Sequence, residues 1–174
     1  MALAFIAVGS NVAPEPSIVA ALRMLKERVA VRGSSRFYRT EPIGGRDQPP
    51  FVNGVWRVAS NLPPAHIRHE ILTPIEDRLG RIRTADKYAD RTIDLDLVLY
   101  DDLVVEDATL ILPHPDISRP FVHGPIVELL NEAAGEIPAS LLAAIRGLLP
   151  ESDDVVLSGE PLDALTAQLR EMIA

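Results

Sequence analysis

The chain has 174 residues, a formal net charge of −8 and no cysteine. Its length suits one domain with a substantial core, and an apolar content of 47% excludes a disordered chain. The acidic balance argues against a nucleic-acid-binding protein, and the lack of cysteine excludes disulfides and thiolate metal sites. Because no stretch approaches the roughly 20 apolar residues of a membrane span, we expect a cytoplasmic protein without membrane contacts.

The first half of the chain predicts strands and one helix, separated by turns. In the third strand Phe51 and Asn53 share one face, since side chains alternate along a strand. Glycines and prolines between Thr40 and Pro50 predict a long loop, of the kind that often forms a lid. The elements in order are a strand at residues 2–8, a helix from Pro14 to Val29, a strand at residues 31–39 and a strand at residues 51–59.

A second helix begins at Pro63-Pro64-Ala65 and stops at Gly80. Its apolar side chains recur every four residues and form one face. Pro74 lies in its interior, where a proline costs about 3 kcal/mol. We therefore expect a kink in this helix, or a break near Thr73.

The strand that follows, at residues 91–100, is apolar but carries Asp94 and Asp96 on the same face. Two ionised carboxylates held together repel each other, and a divalent cation is the usual remedy. An exposed edge strand with solvated carboxylates is the alternative. Four cations close to the pair favour a site for polyphosphate. These cations are Arg81, Arg83, Lys87 and Arg91.

The order strand, helix, strand, strand, helix, strand is a split βαβ pattern, which predicts an α+β, ferredoxin-like βαββαβ sandwich with additional C-terminal helices. We expect residues 1–149 to form the functional domain and residues 150–174 to form a helical C-terminal extension packed on the same domain. A tail that faces a partner is the alternative, and the sequence does not decide between the two.

Gly80-Arg81-Ile82-Arg83, followed by the run from Arg91 to Leu97, resembles the signature of the 6-hydroxymethyl-7,8-dihydropterin pyrophosphokinases. Members of that folate-pathway family transfer pyrophosphate from ATP to the hydroxymethyl group of the pterin and release AMP. The resemblance continues in Tyr38-Arg39-Thr40 and in the Pro113-His114 pair, and it stops at Pro150.

The resemblance implies the parts of a reaction centre. Asp94 and Asp96 would hold two Mg²⁺ ions that bridge the phosphates of ATP, the co-substrate. Arg81 and Arg91 would act as catalytic residues, by neutralising charge on the transferred group. Arg83 and Lys87 would lie in a lid that closes over the transferred group.

The resemblance also implies two binding sites. For the pterin, an aromatic ring beside an amide suits a flat heterocycle, although a core Phe with a capping Asn explains the same pattern. The implied pterin residues are Thr40, Pro42, Ile43, Phe51, Asn53 and Phe121. The implied ATP residues are Glu76, Arg83, Lys87, Leu97, Leu110, Ile111, His114 and Arg119. A solvated helix charge is the alternative for Glu76.

Two departures from the family pattern leave other functions open. Thr73 stands where the family often has a Gln that contacts ATP, and Lys87-Tyr88-Ala89-Asp90 replaces Arg-Trp-Gly-Pro. A paralogous ferredoxin-like module that binds pterin or nucleotide with weak or no catalysis is one alternative, and a nucleotidyl transferase is another. We expect a monomer that binds ATP and 6-hydroxymethyl-7,8-dihydropterin and no nucleic acid.

Overall fold

The computed structural model describes residues 1–86, 88–151 and 159–174. In the first hundred residues one helical segment follows β1 and another precedes β5, with three consecutive strands between them, and helices dominate the remainder. The strands are β1 (Ala2–Ser10), β2 (Ala30–Ser34), β3 (Tyr38–Thr40), β4 (Phe51–Ser60), β5 (Asp94–Tyr100), β6 (Val105–Glu106), β7 (Ile111–Leu112) and β8 (Glu160–Pro161). The α-helices are α1 (Pro14–Lys26), α2 (Pro64–His66), α3 (Thr73–Arg78), α4 (Pro120–Glu132), α5 (Ala139–Leu148) and α6 (Asp163–Ile173).

The main sheet is antiparallel, with strand order β5-β1-β4-β3-β8 and with β2 also paired to β4. The central strand β1 pairs with β4 on one side and with β5 on the other. In this register Gly9 lies opposite Asn53 and also opposite Asp94. The sheet therefore brings residues from distant parts of the sequence to one end of β1. Strands β6 and β7 form a separate hairpin.

Helices cover both faces of the sheet, which gives a mixed α+β architecture. On one face, Ile6 of β1 and Trp56 of β4 pack in a core with α1, α3 and α6. On the other face, Phe5 and Val55 pack with α4 and α5. Phe51 and Asn53 share one face of β4, and Val52 and Trp56 lie on the other face, as the alternation along a strand predicts. Trp56 is fully buried.

The predicted strand at residues 31–39 is interrupted between β2 and β3. Both strands pair with β4, but Ser35 lies between them. The backbone N–H of Val55 donates to the Ser35 hydroxyl at 2.9 Å, and the Ser35 N–H donates to the Val55 carbonyl at 3.0 Å. A side chain thus replaces a backbone partner, and the strand divides there.

The second predicted helix changes its hydrogen-bond spacing ahead of Pro74. Between α2 and α3, residues Ile67–Leu72 form a π-helix. The N–H of Thr73 donates to the carbonyl of Arg68, five residues earlier. An α-helical Pro74 would bring its ring against the carbonyl of Glu70, and the wider π turn relieves that contact. The disturbance predicted near Thr73 is thus a change of helix type. No helix in the described ranges is long and apolar enough to cross a membrane.

Residues 159–174 pack on the sheet. Strand β8 pairs with β3, and Leu165 and Leu169 of α6 are buried in the core beside α1. The buried N–H of Phe37 donates to the Thr166 hydroxyl at 3.0 Å, and the Leu162 N–H donates to the Phe37 carbonyl at 2.9 Å. The C-terminal residues therefore hold the segment that leads into β3.

Replacing Thr166 with Val should lower the free energy of unfolding by about 1–3 kcal/mol, because the buried Phe37 N–H loses its acceptor. Urea unfolding followed by circular dichroism measures the change. The control is Thr84→Val, an isosteric change at an exposed position, which should stay within about 0.5 kcal/mol. Equal stabilities for the two variants would contradict this role of Thr166.

Candidate active site

A cavity of about 310 Å³, here called the main cavity, is lined by residues of β3, β4 and β5 and of the loops between β3 and β4 and ahead of β5. Most of the residues predicted for pterin binding and catalysis line it together. They are Thr40, Ile43, Phe51, Asn53, Arg81, Arg91, Asp94, Asp96 and Phe121. Arg119, which was predicted for ATP binding, lines this cavity as well. Gln48 and Tyr88 also line it, and neither was a predicted site residue.

A second cavity of about 250 Å³ adjoins the first at Asp96, which lines both. This second cavity collects residues predicted for ATP binding. They are Leu97, Leu110, Ile111 and His114. Nδ1 of His114 accepts a hydrogen bond from the Asp116 N–H at 3.1 Å, so a neutral imidazole carries its proton on Nε2. Arg68 also lines this cavity and was not a predicted site residue.

The two aspartates of β5 have different surroundings. Asp94 forms ion pairs through one oxygen with Arg81 and through the other with Arg91. Burial by itself raises the pKa of Asp94, but the two arginines outweigh burial and hold the pKa below its usual value. For Asp96, burial and then the charge of Asp94 raise the pKa above its usual value. Among the described residues, the nearest cation to Asp96 is Arg68, at 3.9 Å.

Glu76 is fully buried beneath Asp94, so the alternative of a solvated helix charge is wrong. Its Oε1 accepts the Leu95 N–H at 2.8 Å and pairs with Arg81, and its Oε2 pairs with Arg83 at 2.6 Å. Burial raises the pKa of Glu76, and Arg81 acts in the opposite direction. Arg81 thus joins a carboxylate on α3 to a carboxylate on β5.

The pterin-side residues form a polar end and two aromatic walls. Nδ2 of Asn53 donates to the Thr40 hydroxyl at 2.7 Å, and the side-chain carbonyl oxygen of Asn53 faces Gly9. The guanidinium of Arg91 lies 5.8 Å from the centre of the Phe51 ring, and that of Arg119 lies 5.9 Å from the Phe121 ring. Each ring therefore has a cation over it in this structure.

Gly9 leaves room for the Asn53 amide. A Cβ atom at Gly9 would lie 3.0 Å from Asn53 Oδ1 and 3.9 Å from Asp94 Cβ. The first of these contacts is too close for an unshifted amide. Gly9 lies within β1, so the lack of a side chain at this strand residue serves the site and not a turn.

Side-chain bonds join the two loops above the main cavity. Gln48 donates to Asp90 Oδ1 at 2.9 Å, and the buried Asn11 donates to the same oxygen at 2.8 Å. Arg46 pairs with Asp86 at 2.7 Å and lies over the Tyr88 ring. Asp90 and Tyr88 are two of the departures from the family pattern, and both connect the loops.

Some predicted residues lie elsewhere. Arg83 pairs with Glu76 and Asp77 on α3 and lines neither cavity in this structure. Pro42 is buried beside the main cavity without lining it. Lys87 lies outside the described residues.

The donor set at the cavity junction fits Mg²⁺. This ion prefers carboxylate oxygens and keeps several waters or substrate phosphates, so one or two protein ligands suffice. Asp94 and Asp96 supply such oxygens on one face of β5. Within the described ranges, no group of three or more His, Cys, Asp or Glu side chains could hold a metal by itself. A site completed by substrate phosphate is consistent with both observations.

Paired carboxylates beside arginines suit the transfer of phosphoryl groups, and here the site rather than the fold indicates that class of enzyme. Residues 5–131 match the family described as 7,8-dihydro-6-hydroxymethylpterin-pyrophosphokinase. The chain belongs to this family.

Curated relatives agree with the family match. The 2-amino-4-hydroxy-6-hydroxymethyldihydropteridine pyrophosphokinase of Haemophilus influenzae is 35% identical over 76% of this chain and 84% of that protein. The protein of the same name from Porphyromonas gingivalis is 39% identical over 79% of this chain and 97% of its own length. The folic acid synthesis protein fol1 of Schizosaccharomyces pombe is 35% identical over 75% of this chain, which corresponds to 20% of that longer protein.

Replacing Arg81 with Met should lower the free energy of unfolding by about 3 kcal/mol, the lower end of the range for removing one partner of a buried ion pair. Glu76 and Asp94 would then face each other without the cation that joins them. Urea unfolding measures the change.

The matched control is Arg46→Met, which removes an equal charge from a pair with the exposed Asp86. Exposed pairs contribute about 0–1 kcal/mol. A loss no larger for Arg81→Met than for Arg46→Met would show that the Arg81 bridge adds nothing to stability.

Proposed function

We propose that this protein transfers pyrophosphate from ATP to the hydroxymethyl group of 6-hydroxymethyl-7,8-dihydropterin and releases AMP, as a step of folate biosynthesis. Family membership supports this reaction. The structural observation that carries the proposal is the position of Asp96, which lines both the main cavity and the second cavity. Two substrates that occupy the two cavities would meet beside this carboxylate and Asp94.

The fold we propose is a ferredoxin-like βαββαβ sandwich over residues 1–149, with residues 150–174 as an extension on the same domain. Strand β1 pairs with both β4 and β5, and all of these pairings are antiparallel. This arrangement, with a helix after the first strand and another before the last, supports a split βαβ unit. The contacts of α6 with the core support the place of the extension.

Asp94 and Asp96 are the residues that would hold Mg²⁺, and we propose two ions. When bound, the metal neutralises phosphate charge and lowers the pKa of the attacking hydroxyl. The remaining work belongs to the side chains around the phosphates. We propose that Arg81 and Arg91 bind the group in transfer through charge-assisted hydrogen bonds. In the reaction the pterin hydroxyl oxygen forms a bond to the β-phosphorus, the bond from that phosphorus to AMP breaks, and the hydroxyl proton leaves to water.

We place the nucleotide in the second cavity. The apolar side chains of Leu97, Leu110 and Ile111 suit an adenine ring, and the Nε2–H of His114 is a donor suited to phosphate. Glu76 contributes by fixing Arg81. Further ATP contacts that we propose come from Arg83, Lys87 and Arg119.

We place the pterin in the main cavity, between Phe51 and Phe121. Stacking between two rings suits a flat heterocycle, and the Asn53 amide can both donate to and accept from its edge. Backbone groups at the start of the loop add polar partners for that edge. The residues proposed for this loop contact are Thr40, Pro42 and Ile43.

We further propose a cytoplasmic monomer that binds no nucleic acid and no membrane. The net charge of −8 supports the exclusion of nucleic acid. A chain without cysteine is consistent with a reducing compartment.

Incubation with ATP and Mg²⁺ should release AMP only when 6-hydroxymethyl-7,8-dihydropterin is present, and EDTA should stop the release. Chromatography of the nucleotides measures this. Release of ADP would mean attack on a different phosphorus and would contradict the proposed reaction. Quenching of pterin fluorescence without turnover would instead indicate a paralogue that binds the pterin but does not catalyse the transfer.

In the same AMP-release assay, Asp96→Ala should lower kcat at least about a hundredfold, the scale for losing a preorganised electrostatic group.

Replacing Gly9 with Ala should raise the KM for the pterin several-fold and change the KM for ATP less than about twofold. The new methyl group pushes against Asn53 Oδ1, at the polar end of the pterin cavity. Steady-state kinetics with each substrate varied in turn measures the two constants. Gly147→Ala is the control, because that glycine in α5 has open space around it. Equal effects on both KM values would contradict the assignment of the main cavity to the pterin.

A further inference from the structure

Arg68 presents most of its hydrogen-bonding capacity to the second cavity. Its side chain lines that cavity and is 27% exposed. Nη1 donates to the Thr73 hydroxyl at 3.1 Å, while Glu76 at 3.7 Å and Asp96 at 3.9 Å are beyond hydrogen-bond length. In the described part of the chain, this is one hydrogen bond for a group that has five N–H donors.

The π-helical turn places Arg68 there. The Thr73 N–H donates to the Arg68 carbonyl, and the Thr73 hydroxyl donates to the same carbonyl at 3.1 Å. The same hydroxyl accepts from the Arg68 guanidinium. Thr73 therefore holds both the backbone and the side chain of Arg68, and Pro74 favours the wide turn in which this is possible. Thr73 and Pro74 together orient this arginine.

The charges around Arg68 favour an anion from outside the protein. Asp96 and Glu76 attract the guanidinium and keep it near the junction of the two cavities. Neither carboxylate lies close enough to accept a hydrogen bond from the Arg68 guanidinium. A phosphate group could accept such bonds, because a guanidinium matches phosphate with two parallel hydrogen bonds. Arg68 lines the second cavity, together with the apolar Leu110 and Ile111, and does not line the main cavity.

We propose that Arg68, positioned by Thr73, binds the phosphate that remains with the nucleoside, which is the α-phosphate of ATP and the phosphate of AMP. This inference rests on the proposed function. Thr73 contributes by positioning Arg68, through the Arg68 carbonyl and the Arg68 guanidinium, and Arg68 supplies the contact to the nucleotide.

The experiment compares the binding of AMP and adenosine by isothermal titration calorimetry, without pterin. Arg68→Gln should weaken AMP binding about tenfold or more and leave adenosine binding unchanged, because only AMP carries the phosphate. Thr73→Val should weaken AMP binding in the same direction by a smaller factor. Arg68→Lys should recover part of the loss, since lysine keeps the charge without the planar fork. Arg78→Gln, an equal charge change at an exposed position of α3, is the control and should bind both ligands as the wild type does.

Equal AMP binding by Arg68→Gln and wild type would overturn the proposal. So would a parallel loss of AMP and adenosine binding with a lower melting temperature, because that pattern indicates a structural role. Absence of AMP binding to the wild type would also overturn it. Wild-type AMP binding that depends on Arg68, in a protein that releases no AMP from ATP and pterin, would leave the phosphate contact standing and reject the proposed reaction.

Discussion

The site depends on a chain of alternating charges that runs from Glu76 through Arg81 and Asp94 to Arg91. Glu76 is fully buried, and a buried carboxylate without a cation is costly. The segment between α3 and β5 supplies both arginines, so it must fold back over the end of the sheet for either acid to keep its place. The same ion pairs therefore fix the loop, orient β5 and set the electrostatics of the cavity.

Features that follow from local geometry could be predicted from the sequence. Period-two alternation places Asp94 and Asp96 on one face of β5, and Phe51 and Asn53 on one face of β4, whatever the rest of the chain does. The antiparallel pairing of both strands with β1 then brings the two faces together. The order of helices and strands was predictable for the same reason, because hydrophobic spacing reports each element separately.

Features that arise from contacts between distant segments could not be predicted in this way. Ser35 interrupts a predicted strand because its hydroxyl takes the place of a backbone partner on β4. Asp90 joins the two loops through Gln48 and Asn11, which are far from it in the sequence. Arg68 reaches the second cavity because the helix forms a π turn ahead of Pro74, whereas the sequence predicts only a kink or a break near Thr73. In each case the contact of one particular side chain, and not the spacing of apolar residues, determines the local structure.

Under the proposed function, Asp94 and its arginines would exchange partners. Each oxygen of Asp94 pairs with one arginine, Arg81 or Arg91, and these cations compete with a metal ion for the carboxylate. A triphosphate offers the two guanidinium groups a new anionic partner of matching geometry. If they turned to it, Asp94 would lose its cations and could hold a divalent ion, so each charged group would still have a partner of opposite charge. Under this proposal, nucleotide and metal would each favour the binding of the other through Arg81 and Arg91.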